Sequence, residues 1–163
     1  MKKIAIAALL SAFAAAPAVA ADGKNSVGIS YGLDLNGVFG IQGEFDISSA
    51  VNNAPVAVQV LYKNYSQSYL GAYKYSYSGF GVAAIYDFSA EMKLDKKIKP
   101  YAGLGLIRLN ASLTGPTNTF SVAADSGGLY ATGGVRYAVT PEFSADLNYN
   151  NFGGLTIGAN LNF

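Results

Sequence analysis

The chain closes on Phe143-Ser144-Ala145-Asp146-Leu147-Asn148-Tyr149-Asn150 and, after Asn151-Phe152-Gly153-Gly154, on Leu155-Thr156-Ile157-Gly158-Ala159-Asn160-Leu161-Asn162-Phe163. In both runs every second residue is apolar and the residues between are small or polar. Successive side chains of a β-strand point to opposite faces, so a period of two reads as a strand with one apolar and one polar face. The glycine-bearing four residues between the runs read as a turn.

The same period extends back through the chain. Val27, Ile29, Tyr31, Leu33 and Leu35 oppose Gly28, Ser30, Gly32, Asp34 and Asn36. After Gly37, Phe39, Ile41, Phe45 and Ile47 oppose Gly40, Gln42, Glu44 and Asp46. Val56, Val58, Val60 and Tyr62 oppose Ala57, Gln59 and Lys63, with Leu61 out of pattern. Phe80, Val82, Ala84, Tyr86 and Phe88 oppose Gly79, Gly81 and Asp87. Leu129, Ala131, Val135, Tyr137 and Val139 oppose Tyr130, Thr132 and Arg136, and Thr140-Pro141 turns the chain. A fifth strand begins near Pro100 in either of two phases: Tyr101, Ile107 and Leu109 share the apolar face, or Ala102, Leu104 and Leu106 do. The sum is eight strands. Asn64 to Ser78 and Asn110 to Gly128 read as long connections, and the charged stretch Ser89 to Lys99 as a third break.

Composition narrows what such strands can build. The 163 residues are 51% hydrophobic but only 13% charged, and no apolar run outside the N-terminus approaches the roughly 20 residues of a spanning helix. Absence of cysteine excludes disulfide scaffolds and thiolate zinc sites. A formal charge of +1 carries no signature of nucleic-acid binding. A lipocalin-like soluble barrel would turn its apolar face inward, but its exterior would then need far more Lys and Glu than this polar face holds. Small residues with a few pairable charges suit the narrow interior of an eight-stranded membrane barrel instead. Aromatics near strand ends at Tyr86, Phe88, Tyr137, Phe143, Tyr149 and Phe163 fit interfacial girdles against lipid. The fold expected is an all-β, eight-stranded antiparallel transmembrane barrel.

Residues 1–20 read differently. Lys2 and Lys3 precede an apolar stretch from Ile4 to Ala16, and Ala18-Val19-Ala20 before Ala21 is a small-x-small cleavage pattern. This is a secretory signal peptide, leaving 21–163 as the barrel domain.

The terminal strand, with Ile157, Ala159, Leu161 and Phe163 alternating to the last residue, resembles the C-terminal signal of bacterial outer-membrane barrels. Lys99-Pro100-Tyr101-Ala102-Gly103-Leu104-Gly105 is similar to the Pro-Tyr-x-Gly-x-Gly strand of OmpA/OmpX-like and opacity-type surface proteins. Gly134-Val135-Arg136-Tyr137 through Phe143-Ser144-Ala145-Asp146 resembles their penultimate hairpin. The resemblance implies an integral outer-membrane protein, in contact with outer-membrane lipid and handled by the barrel-assembly machinery through its last strand. It also implies that both termini are periplasmic. The chain departs from OmpX-type members in its very short connections near Gly37 and Asn151 to Gly154.

With that orientation, Lys93, Asp95, Lys96, Lys97 and Lys99 form a periplasmic turn, either a solvated interface anchor or a contact for peptidoglycan or anionic headgroups. Tyr65, Tyr69, Tyr73, Tyr75 and Tyr77 fall in a surface connection. They serve there as strand formers and an outer girdle, or as a recognition surface for a surface ligand or host component. Glu44, Asp46, Gln59, Arg136 and Asp146 are expected to form a polar network filling the lumen. The enzymes known on small outer-membrane barrels need a histidine beside a serine or carboxylate, and the chain has no histidine. No cofactor motif is present. The expected role is structural and surface-interacting, the alternative a small channel or hydrophobic-ligand conduit.

Overall fold

A computed structural model describes residues 24–33, 37–69, 73–115 and 121–163. The expected leader, with Ala18, Ala20 and Ala21, lies outside them, as do residues 34–36. The described chain runs β1 (Ser26–Gly32), β2 (Phe39–Asp46), β3 (Val56–Tyr69), β4 (Tyr73–Asp87), a single helical turn α1 (Ser89–Met92), β5 (Ile98–Thr114), β6 (Ser121–Ala138), β7 (Phe143–Asn150) and β8 (Gly154–Asn162). Each strand pairs antiparallel with the next, and β1 pairs with β8, which closes the sheet into an eight-stranded barrel. The seam holds seven residue pairs, from Ser26 opposite Asn162 to Gly32 opposite Thr156. Below it, Asn25 and Phe163 exchange backbone hydrogen bonds of 3.1 and 2.9 Å.

Alternation decides what each face meets. Leu104, Leu106 and Leu129 point outward and are 62%, 71% and 63% exposed. Burying a Leu side chain is worth roughly 1.5–3 kcal/mol, so a surface of such residues requires an apolar surround, which lipid supplies. Two aromatic rows bound this surface. Phe45, Tyr86, Phe88, Tyr137 and Phe143 lie toward the end that carries the termini. Tyr31, Phe39, Tyr62, Phe80 and Tyr149 lie toward the opposite end.

Strand length is unequal, and the inequality is grouped. β1, β2, β7 and β8 have 7, 8, 8 and 9 residues. At roughly 3.3 Å per residue they run about 23–30 Å, close to the height of a 25 Å apolar band and no more. The neighbours β3 to β6 have 14, 15, 17 and 18 residues. They rise as a four-stranded wall beyond the far aromatic row. Two expectations are corrected here. Asn64 to Ser78 is not a connection, because β3 runs to Tyr69 and β4 starts at Tyr73, in register from Tyr65 opposite Tyr77 to Tyr69 opposite Tyr73. Asn110 to Gly128 is likewise mostly paired strand, from Asn110 opposite Asp125 to Thr114 opposite Ser121. Polar residues marked these stretches as loops, but a strand standing in water is free to be polar on one face.

The structure also settles the phase of β5. Tyr101, Gly103, Gly105, Ile107 and Leu109 face inward, while Ala102, Leu104 and Leu106 face lipid. Leu61, out of pattern in the sequence, is 1% exposed and packs in the lumen with Ala83, Ile85, Tyr101, Ile107 and Tyr130. The interior is therefore split. β3 to β6 contribute most of an apolar side, and β1, β2, β7 and β8 contribute a polar one of Ser30, Gln42, Ser144, Asn148, Asn150, Thr156 and Asn160.

Glycine is required where strands β4 and β5 approach. A Cβ on Gly105 would lie 2.0 Å from the Val82 carbonyl oxygen and 2.5 Å from the Ala83 Cα, whereas one on Gly43 would meet only the Phe45 ring, at 3.4 Å. Gly105→Ala is expected to lower the yield of the folded, heat-modifiable form and to destabilise it by about 1–3 kcal/mol. Gly43→Ala is expected to stay within about 0.5 kcal/mol of the parent. Equal yields in a side-by-side refolding assay would contradict this packing.

Candidate functional site

The lumen is crossed by one charged bridge. Arg136, inward on β6, reaches across the barrel to Glu44 on β2, with Nη1 donating to Oε1 and Nη2 to Oε2, both at 2.9 Å. The two planar groups meet in the bidentate geometry that makes such pairs strong. Asp146, the direct cross-strand partner of Arg136 on β7, places Oδ2 4.0 Å from Nη2. The Tyr101 hydroxyl donates to both Asp146 oxygens at 2.9 and 3.0 Å, and its ring lies 4.7 Å beneath the guanidinium carbon. Gln42 donates to Asn160 Oδ1 at 3.1 Å and to Asp146 Oδ2 at 3.5 Å. One positive and two negative groups are thus held nearly out of water, with Tyr101 on β5, Gln42 on β2 and Asn160 on β8 around them.

Of the residues expected in this network, Glu44, Arg136 and Asp146 come together. Gln59 is buried opposite Glu44 in register, and its Oε1 has no hydrogen-bond partner among the described residues. Asp46 stands apart, at the mouth beside the termini. It accepts from the Ser48 backbone N–H at 2.9 Å and the Ser48 hydroxyl at 2.8 Å, and Lys24 lies 3.6 Å away. Below the bridge a cavity of about 330 Å³ opens at this mouth, lined by Lys24, Asp46, Asp87, Lys99, Tyr101 and Arg136 among others. Above the bridge come the apolar cluster and Lys63, 3% exposed and set against Gly40 and Gly153.

Sequence reasoning missed Tyr101, because the phase of its strand was open, and also Gln42, Asn148, Asn150 and Asn160. Those amides were visible as the polar face of their strands, yet nothing in one strand says which amide on another it will meet. Phe152 was missed too. Asn150 Oδ1 accepts from the Phe152 and Gly153 backbone N–H groups at 3.3 and 2.7 Å, folding the turn inward. The Phe152 ring then sits over Gly79, where a Cβ would come within 2.9 Å of it.

The tyrosines occupy the wall. Tyr65, Tyr75 and Tyr77 share its inner face, with ring centroids 5.0 Å apart for Tyr65 and Tyr77, 6.0 Å for Tyr75 and Tyr77, and 6.3 Å for Tyr65 and Tyr75. Phe152 meets Tyr77 edge-on at 5.1 Å. Tyr69 and Tyr73 are opposite each other at the top of the hairpin. Burial, then Tyr65 and Tyr75, push the Tyr77 phenol up to about 12, and its hydroxyl is buried with no hydrogen-bond partner among the described residues. The outer face of the wall is polar. Ser76 and Ser112 hydroxyls lie 2.8 Å apart, and Arg108 Nε donates to both Asp125 oxygens at 3.1 Å. That contact holds the Asp125 carboxyl below its ordinary value. Polarity along the long strands therefore reverses with height. Near the termini the outside is apolar and the inside mixed, while in the wall the outside is polar and the inside aromatic and aliphatic.

The profile of the Opacity family porin proteins matches residues 47–162. The fold is similar to neisserial surface protein A, with a TM-score of 0.59 and 24% identity over 85% of this chain and 93% of that one. It is also similar to the N-terminal β-barrel domain of Pseudomonas aeruginosa OprF, at 0.57 and 15% over 85% and 95%. A major outer-membrane protein from Thermus thermophilus gives 0.59 and 14% over 85% and 98%. Among curated proteins, none matches by sequence.

The bridge generates a stability test. Arg136→Met leaves Glu44 and Asp146 buried without their cation, and is expected to cost about 3–5 kcal/mol in urea unfolding of the folded barrel in lipid vesicles. Adding Glu44→Gln should recover a substantial part of that loss. A single variant as stable as the parent would show that the pair is not held out of water.

Proposed function

The chain belongs to the Opacity family of porin proteins, small β-barrels of the bacterial outer membrane, and from that premise we propose that it is a non-conducting barrel whose four-stranded wall serves as a recognition surface outside the cell. The observation that carries this reading is the reversal of polarity between barrel and wall. A polar outer face suits water, not lipid, so the wall stands clear of the membrane. Its aromatic inner face then offers rigid contact area, with Tyr75 39% exposed at its upper part.

Orientation follows from the connections. At the end carrying the termini they are a turn through Ser48–Ala50, the single turn α1 and the Thr140–Glu142 bend. Barrels of this type keep short turns on the periplasmic side and longer excursions outside. The wall is then extracellular, and the cluster Lys93 to Lys99 meets the inner headgroup layer as an interface anchor. Ile157, Ala159, Leu161 and Phe163 line the outer face of the closing strand, where the barrel-assembly machinery would read them before closure. The lumen reading is structural: the Arg136–Glu44 bridge and the apolar cluster above it fill the bore. Nothing in the site calls for catalysis, and the chain carries no histidine to provide it.

The chain has no cysteine, so an introduced one is a unique label. Asn110→Cys, on the exposed outer face of the wall, should react with a membrane-impermeant maleimide on intact cells. Ser49→Cys, in the turn after β2, should react only after the outer membrane is permeabilised. The reverse pattern would overturn the orientation. In planar lipid bilayers the purified protein is expected to be silent, and steady ion conductance would favour the channel instead.

A further inference from the structure

Recognition at the wall leaves the cavity at the opposite mouth unused, and we infer that this cavity binds the carboxylate end of a short peptide. Its volume of about 330 Å³ falls within the range of small-molecule sites. Six charged side chains line it, three of each sign: Lys24, Lys99 and Arg136 against Glu44, Asp46 and Asp87. Which of them are already engaged decides what the cavity can take.

All three carboxylates are engaged. Glu44 accepts both arms of the Arg136 guanidinium at 2.9 Å. Asp46 accepts from the Ser48 backbone N–H and hydroxyl, with Lys24 3.6 Å away. Asp87 Oδ1 accepts the Ser89 backbone N–H at 2.8 Å and the Ser89 hydroxyl. Of the cations, Lys24 and Arg136 are held by Asp46 and Glu44, while Lys99 has no ion-pair or hydrogen-bond partner among the described residues. Lys99 also differs from the other lysines of its charged stretch, because it shares the inward face of β5 with Tyr101 and lies directly opposite Arg136 on β6. Like charges directly opposite each other on paired strands repel. An anion set between the Lys99 ammonium and the guanidinium replaces that repulsion with two attractions.

The rest of the lining says which anion. Three carboxylates around the cavity disfavour a doubly charged phosphate, whereas a single carboxylate matches the Lys99 ammonium. Val56, Ala57 and Ile85 give an apolar side for a short side chain, and Asn25 and Asn53 bring amides that can pair with a peptide group. A peptide end meets all of these at once, with one negative charge, one small side chain and a main-chain amide. The Arg136–Glu44 bridge forms the floor, so the ligand enters and leaves by the same mouth and does not cross the barrel.

The test uses the folded, isotope-labelled protein in detergent micelles and three probes: N-acetyl-alanyl-alanine, its C-terminal amide and inorganic phosphate. The acid is expected to bind saturably, moving the backbone resonances of Lys99, Arg136 and their neighbours in the lining and leaving those of the wall in place. The amide and phosphate should bind more weakly by about tenfold or more, as loss of a charge-assisted hydrogen bond requires. Lys99→Gln should cost the acid a similar factor while the heat-modifiable form persists, and Lys99→Arg, which keeps the charge, should restore binding. Lys97→Gln, at the same end but outside the lining, should bind as the parent does. Absence of saturable binding by the acid would overturn the inference, as would equal binding of acid and amide or of acid and phosphate. Equal losses in Lys97→Gln and Lys99→Gln would overturn it too, since diffuse charge would then suffice. None of these outcomes depends on which side of the membrane the mouth faces, so the cysteine-labelling result on orientation stands apart.

Discussion

Hydrocarbon offers no partner for a peptide N–H or C=O. Every other feature of this protein follows from that constraint. Each unsatisfied group in lipid costs several kcal/mol, so a sheet can cross only if it has no edge. No helix among the described residues is long and apolar enough to cross instead. The eight strands satisfy the constraint by pairing each with its neighbour and the first with the last. Once the sheet is closed, alternation ceases to be a statistical pattern and becomes a partition between two media.

That partition explains the unusual composition. Lipid takes the apolar residues, and a bore this narrow takes small ones, with glycine where strands come too close for a Cβ. Few charges are needed. Inside, Arg136 is paired with Glu44 and lies beside Asp146, and those outside collect at the mouth beside the termini and on the outer face of the wall. Where the strands leave lipid the closure requirement lapses, and the same strands continue as an open sheet. The wall keeps the period of two but exchanges the meaning of its faces, because the medium outside has changed from hydrocarbon to water.

Much of this was legible in the residues, and the failures have one cause. Strand number follows from the period, and the outward apolar face, with the inward positions of Glu44, Arg136 and Asp146, from the period together with the few charges on the polar face. Leu61 looked like an error because a lumen was expected to be polar throughout, and only the packing of Ile85, Ile107 and Tyr130 beside it shows an apolar side. The phase of β5 stayed open because glycines at 103 and 105 mark neither face. The strand ends lie beyond those the sequence suggests, because polar residues at Asn64 to Ser78 and Asn110 to Gly128 resemble long connections when they mark the change of solvent. Cross-barrel partners such as Gln42 with Asn160 depend on curvature and register, which no single strand encodes.

The seam between β1 and β8 sets the tempo of the whole molecule. Every other pairing joins strands adjacent in sequence and can form as a local hairpin, whereas the seam alone brings the two ends of the chain together. Its entropic cost grows only logarithmically with the length enclosed, but no other contact is so non-local, and such contacts slow folding most. Opening it again would expose two bare edges to hydrocarbon at once, so a half-open barrel has no stable place in the membrane. Seven residue pairs thereby make the molecule all-or-none, slow to close and slower still to come apart.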